Sequence, residues 1–161
     1  MLSDLADRYA FQVERQKVAP RFNPEMGFMR RTDFVRNFVH TRFSPRPDRN
    51  HMKAIRRFVY QADLEYIANN RGRLDLREQS AQFGIEFFNS DRLTVDFNRD
   101  YEFIPRPFAI AAGVTVPVGG YTYQTVNTSY NLGTQHKFSG TVSYQEGTLY
   151  GGNKHTFSVS G

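Results

Sequence analysis

The sequence predicts an all-β protein: an antiparallel up-and-down meander of about eight strands, part of a larger transmembrane β-barrel. Three observations predict it. Large apolar or aromatic residues recur at every second position through strand-length runs, the period that gives a strand one greasy and one wet face. The runs extend over about 10–14 residues, beyond the usual 5–6 of soluble sheets and enough to cross a bilayer. Apolar character is concentrated in rings, with 15 Phe, 9 Tyr and no Trp in 161 residues. Rings favour pleated surfaces and membrane boundaries.

The expected strands are 6–18, 32–43, 54–67, 74–88, 92–104, 120–131, 136–146 and 152–161. The first follows the opening Leu2-Ser3-Asp4-Leu5-Ala6-Asp7 directly. The second alternates poorly: Phe34 and Phe38 share one parity, and Val35, Val39 and Phe43 the other, which a bulge near its middle would reconcile. In the third, Phe58, Tyr60, Ala62, Leu64 and Tyr66 alternate with Val59, Gln61, Asp63 and Glu65. In the fourth, Ala81, Phe83, Ile85 and Phe87 alternate with Ser80, Gln82, Gly84 and Glu86. The fifth sets Leu93, Val95 and Phe97 against Thr94, Asp96 and Asn98, and Pro105 and Pro107 end it. The sixth starts at Gly119-Gly120. The seventh sets Phe138, Gly140, Val142 and Tyr144 against Ser139, Thr141, Ser143 and Gln145. The eighth closes on Phe157-Ser158-Val159-Ser160-Gly161. Both ends look cut, so 1–161 is expected to be a single fragment of a barrel domain.

Connections alternate in character. Segments 44–53, 89–91 and 131–135 form one set, and 19–31, 68–73, 105–119 and 147–151 the other, which holds the two longest loops. Short turns on one side and longer loops on the other suit an outer-membrane barrel. Rings crowd near strand ends as girdles would: Phe43, Phe58, Tyr66, Phe87, Phe88, Tyr101, Phe103, Tyr121, Tyr123 and Tyr150. Gln61, Asp63, Glu65, Gln82, Glu86, Asp96, Asn98, Ser139, Thr141 and Ser143 are expected to face a lumen. A soluble β-sandwich that binds carbohydrate, as part of a secreted hydrolase, would show the same alternation. It would want rings on the wet face, whereas most rings here share the apolar parity.

Composition narrows the chemistry. The absence of cysteine excludes disulfides, thiolate catalysis and zinc–sulfur sites. The apolar share is 39% and mean hydropathy is -0.59. No stretch approaches the roughly 20 apolar residues of a spanning helix. The net charge is +5 and the pI is near 9.6, with the basic excess gathered between Arg30 and Arg57. Such a stretch attracts phosphates, but alternating along a strand edge and a turn it reads as solvated, and nucleic-acid binding is not expected. Carboxylates pair along wet faces, Asp63 with Glu65, and Asp96 with Asp100 and Glu102, where solvation leaves no reason for acid–base tuning. His40, His51, His136 and His155 lack metal-ligand spacing. No nucleophile elbow or phosphate loop occurs, and Asn127-Thr128-Ser129 falls within a strand. No enzyme activity, cofactor or metal is expected.

The least generic segment is Phe22-Asn23-Pro24-Glu25-Met26-Gly27-Phe28-Met29-Arg30-Arg31. The second is the apolar loop 105–119, which is expected to pack on itself or fold over a barrel mouth. With these segments the chain resembles the C-terminal outer-membrane β-barrel domain, of unknown function, of bacterial proteins whose N-terminal domain is similar to family 9 carbohydrate-binding modules. That family's Phe-Asn-Pro-Glu-x-Gly-Phe-x-Arg-Arg pattern is matched by Phe22, Asn23, Pro24, Glu25, Gly27, Phe28, Arg30 and Arg31. Phe43-Ser44-Pro45-Arg46-Pro47, then Gly84-Ile85-Glu86-Phe87 with Asp91-Arg92-Leu93, resemble the family's following segments. Phe108 to Tyr121 and Tyr150-Gly151-Gly152 are similar to its later loops. The likeness covers about 20–161. It implies a Gram-negative outer-membrane barrel whose partners are outer-membrane lipid, missing barrel strands of the same chain, and carbohydrate through an N-terminal module outside this sequence. Hydrolase activity described for some full-length relatives is then expected to belong to that module.

Overall fold

The computed structural model describes residues 8–21, 33–111, 113–149 and 152–161. Ten strands follow in order: β1 Tyr9–Val18, β2 Phe34–Phe43, β3 Ile55–Asn69, β4 Leu74–Phe87, β5 Arg92–Ile104, β6 Phe108–Ala111, β7 Val114–Val116, β8 Gly119–Leu132, β9 Gly140–Leu149 and β10 Gly152–Ser160. Eight of them form one sheet in the order β1-β2-β3-β4-β5-β8-β9-β10, and every neighbouring pair is antiparallel. The all-β, up-and-down meander expected from the alternation is therefore present. β1 and β10 are its two edges, so among the described residues the sheet is open.

The short β6–β7 pair forms a separate two-stranded hairpin. It lies within the 105–119 connection, so that loop does pack on itself, by hydrogen bonding rather than as an irregular coil. Gly113 turns it at a φ of 79°, a left-handed angle that glycine takes without a Cβ clash.

Two expectations about strands are corrected. β2 runs without a bulge, since its register to β1 and to β3 is continuous from Phe34 to Phe43. Phe34 and Phe38 share the polar parity, and the Arg36 guanidinium lies 5.1 Å from the Phe38 ring centre, which gives that ring a partner among charges. The register shifts fall on β3 instead, between Ile55 and Arg57 and between Ile67 and Ala68. The seventh predicted strand starts late, at Gly140 instead of 136. Ser139 is therefore in the preceding turn and Phe138 is 85% exposed there.

Cross-strand pairing fixes the faces. Tyr9, Phe43, Tyr60, Phe83, Val95, Thr128, Tyr144 and Phe157 are successive partners across all eight strands. They form one row, and every second residue of each strand joins them on what we term the outer face. The alternate set, including Gln61, Asp63, Gln82, Asp96 and Asn127, forms the inner face. Rings meet along the outer row: Tyr9 stacks on Phe43 at 5.0 Å and Phe43 on Tyr60 at 6.2 Å, while Tyr60 lies tilted against Phe83 at 5.3 Å. Pairs of this kind add about 0.5–1.5 kcal/mol beyond their area. Tyr121 and Tyr123 depart from the predicted girdle, since they pair with Glu102 and Asp100 on the inner face.

Almost nothing here is an interior. The buried apolar side chains among the described residues are Val18, Val59, Ile104 and Val116, and no large side chain is fully enclosed. By contrast Phe11 is 74% exposed, Phe157 68% and Phe97 40%, all on the outer face.

Candidate functional site: the two faces of the sheet

The outer face carries an apolar belt. It comprises Tyr9, Phe11 and Val13 on β1, Phe58, Tyr60 and Leu64 on β3, Phe83 and Ile85 on β4, and Val142 with Tyr144 and Phe157 with Val159 at the far end. Toward the long loops the belt gives way to polar residues. The change falls between Val13 and Arg15 on β1, between Phe97 and Arg99 on β5, and between Phe157 and His155 on β10. These positions do not share a row. Val13's row continues through Val39 and Leu64 to Gln79 and Arg99, while Phe11's row ends at Glu146 and His155. The belt edge therefore steps down two rows between β1 and β10.

The inner face is a network of paired polar groups. Arg36 donates to Glu65 from Nε at 2.6 Å and from Nη2 at 3.3 Å, and from Nη1 to Glu14 at 3.0 Å. Arg57 grips Glu86 in the same two-pronged way, at 2.7 and 2.9 Å. Such bidentate pairs are strong because the planar guanidinium matches the carboxylate. Gln82 and Asn127 donate to the two oxygens of Asp96, at 2.7 and 3.4 Å. The strands bring these groups together because partners on one face lie about 5 Å apart.

Asp63 is the hub of this face. His40 Nδ1 lies 2.6 Å from its Oδ1, while Gln61 and Ser80 donate to Oδ2 at 3.2 and 3.1 Å. Histidine, carboxylate and serine thus meet, but the carboxylate stands in the middle. A nucleophilic serine needs its proton-accepting imidazole beside it; Ser80's hydroxyl is turned to Asp63 instead. The arrangement orients a polar wall. Asp63, Ser80, Gln82, Asp96 and Asn127 line a hollow of about 370 Å³.

Of the residues expected to face a lumen, Gln61, Asp63, Glu65, Gln82, Glu86, Asp96, Asn98, Thr141 and Ser143 lie on this face. The basic stretch does not form one patch. Arg36 and Arg57 are paired inward, Arg49 lies 4.8 Å from the Phe88 ring centre, and Arg56 falls at the register shift between Ile55 and Arg57. The motif residues Phe22, Asn23, Pro24, Glu25, Gly27, Phe28, Arg30 and Arg31 lie outside the described residues. No group of three or more metal-ligating side chains occurs among the described residues.

One site escaped the sequence reading. Asp91, 5% exposed, joins the short β4–β5 turn to the β8–β9 turn. It accepts the Gly133 N–H at 2.9 Å and the Tyr130 hydroxyl at 2.8 Å, with His136 Nε2 at 2.8 Å and Asn89 Nδ2 at 2.8 Å. The Gly133 amide, helped by the Tyr130, His136 and Asn89 donors and opposed by desolvation, holds its carboxyl down from the usual 3.8 to about 2. Gly133 is needed because a Cβ there would run into the backbone of Ser90. Nothing in the spacing reveals this latch, since its partners follow about 40 residues later and meet Asp91 only through β5–β8 pairing.

No protein-family model, curated protein or solved structure matches this chain.

Proposed function

We propose that this chain is a segment of a bacterial outer-membrane β-barrel, non-catalytic, serving passage along its polar inner face or surface display in a carbohydrate-linked membrane protein. The observation that carries the reading is the uncovered apolar belt. It spans all eight strands of one sheet, while the bidentate ion pairs and the Asp63 and Asp96 clusters lie on the opposite face. Burying such a belt is worth roughly 25 cal/mol per Å², and lipid can cover it on every strand at once. A sandwich would need a second sheet of matching breadth, and the other sheet among the described residues is the two-stranded β6–β7 hairpin.

Lipid and further strands follow from the same geometry, and carbohydrate from the resemblance alone. Outer-membrane lipid covers the belt. Further strands of the same protein cover the edges of β1 and β10, because backbone groups inside a bilayer must all be paired. Carbohydrate binding belongs to an N-terminal module outside this sequence and is assigned to no residue here. No helix among the described residues is long and apolar enough to cross a membrane.

The test is circular dichroism together with gel mobility of unheated and heated samples, on the chain refolded with and without detergent micelles. β signal and a heat-sensitive compact band only with micelles are the expected result. Cooperative folding in plain buffer overturns it in favour of a soluble carbohydrate-binding sandwich.

A further inference from the structure

The strand arginines of this molecule fall into ion-paired and unpaired sets; Arg42 on the inner face, like Arg77 on the outer, has an enclosed Nε with no hydrogen-bond partner. On the inner face Arg36 and Arg57 are neutralised by carboxylates. On the outer face, just past the belt edge on the long-loop side, Arg77 and Arg99 have no ion pair with any described residue, and the Arg77 Nε is enclosed with no hydrogen-bond partner. Leaving cations unneutralised beside an apolar belt is costly unless something anionic meets them there.

Their placement says what that is. Arg77 pairs across strands with Tyr66 and with Tyr101, so it stands between two rings at the belt margin. Arg99 pairs with Gln79, which puts it on the diagonal from Arg77, about 7–8 Å away at the backbone. Arg15, on the same face of β1, extends the line. Carboxylates of this face are engaged elsewhere: Asp75 with the Arg73 Nε at 3.0 Å, and Glu146 with the Tyr144 hydroxyl at 3.4 Å. Across the belt, toward the short turns, the outer face ends in rings at Phe43, Phe58 and Phe87, and the exposed Arg56 falls at the register shift beside them.

We propose that Arg77 and Arg99 form a binding site for lipid-borne phosphate in the leaflet on the long-loop side. The inference rests on the barrel reading and adds the ligand's chemistry. Guanidinium suits phosphate because its planar fork gives two parallel hydrogen bonds. Rings on either side hold the head at the level where apolar chains end and phosphates begin. The apolar chains of the bound lipid then lie along the belt below, against Ala81 and Phe97.

The experiment uses the full chain in nonionic micelles doped with a diphosphorylated glycolipid or, at equal mole fraction, with phosphatidylcholine. Retained lipid is counted by native mass spectrometry. The glycolipid is expected to be retained in preference. The Arg77→Gln/Arg99→Gln variant should lose about thirtyfold in retention, given the attraction of each basic residue to an anionic lipid surface. Arg56→Gln, across the belt, should retain it unchanged. If the double variant lacks the heat-sensitive compact band, Arg99→Gln alone, at an exposed position, carries the test and should lose several-fold. Retention equal to the parent chain in a folded variant overturns the proposal and leaves the barrel standing. Displacement of the glycolipid by inorganic phosphate at equal phosphate concentration overturns the lipid assignment. Folding without micelles overturns barrel and site together.

Discussion

The two faces of this sheet share one backbone ladder and differ in where their side chains find partners. On the inner face Asp63 gathers His40, Gln61 and Ser80, and Asp96 gathers Gln82 and Asn127. On the outer belt side chains meet through ring contacts, as Tyr9, Phe43, Tyr60 and Phe83 do. Most inner-face polar groups find partners on that face, the enclosed Arg42 Nε excepted; the belt is complete only when covered. The comparison teaches that exposure means opposite things on the two sides. A half-exposed inner residue faces water that suits it, whereas Phe11 at 74% exposure marks where another apolar phase is missing.

Substitutions can break or sharpen this contrast. The largest effect is expected at Phe83→Arg, which sets a charge in the ring row. It should cost roughly 2–4 kcal/mol in denaturant titrations of the chain folded in lipid vesicles. A cost near zero would mean that lipid does not cover the belt. Next comes Asp91→Asn, which breaks the latch between two turns. Because the folded carboxyl titrates near 2 and the free group near 3.8, the latch stabilises fully above about pH 4. That contribution is lost as pH falls through about 2. The parent chain should lose part of its urea resistance between pH 5 and pH 2, and Asp91→Asn should show a smaller acid loss; equal losses would assign the acid sensitivity elsewhere. Glu65→Gln should cost about 1 kcal/mol, since the pair with Arg36 is about a quarter exposed and Glu14 still holds that guanidinium. Gln82→Arg, one residue from Phe83 on the other face, should fall within about 0.5 kcal/mol of the parent.

Much of the fold was legible because alternation is a local signal. β3, β4 and β5 begin and end within two residues of their predicted bounds, and Asn89-Ser90-Asp91 turns where expected, with Ser90 at a φ of 67°. What stayed hidden is what only tertiary pairing decides. Phe34 and Phe38 suggested a bulge in β2 because the polar face was assumed to exclude rings, yet a neighbouring arginine accommodates Phe38 there. The run from His136 to Ser139 alternates like a strand. The Asp91 latch and the His136 N–H to Gly133 carbonyl bond at 3.1 Å hold it in turns instead. The pairing of His40 with Asp63 was equally invisible, since 23 positions separate them in the chain. The polar residues could be assigned to a face from parity, but not to one another.

The stepped belt edge has a mechanical corollary. Two rows are four residues, about 14 Å along a strand, gained over the seven strand-to-strand steps from β1 to β10. A flat slab of lipid has a level boundary, so the ladder cannot stand upright in it. The strands must lean, all in one sense, like staves set askew in a hoop. The sheet's hydrogen bonds would then run oblique to the membrane plane, and polarised infrared absorption of oriented films would read that obliquity directly. A film in which the amide dipoles lie parallel to the plane would place the boundary along the rows and contradict the steps at Arg15, Arg99 and His155.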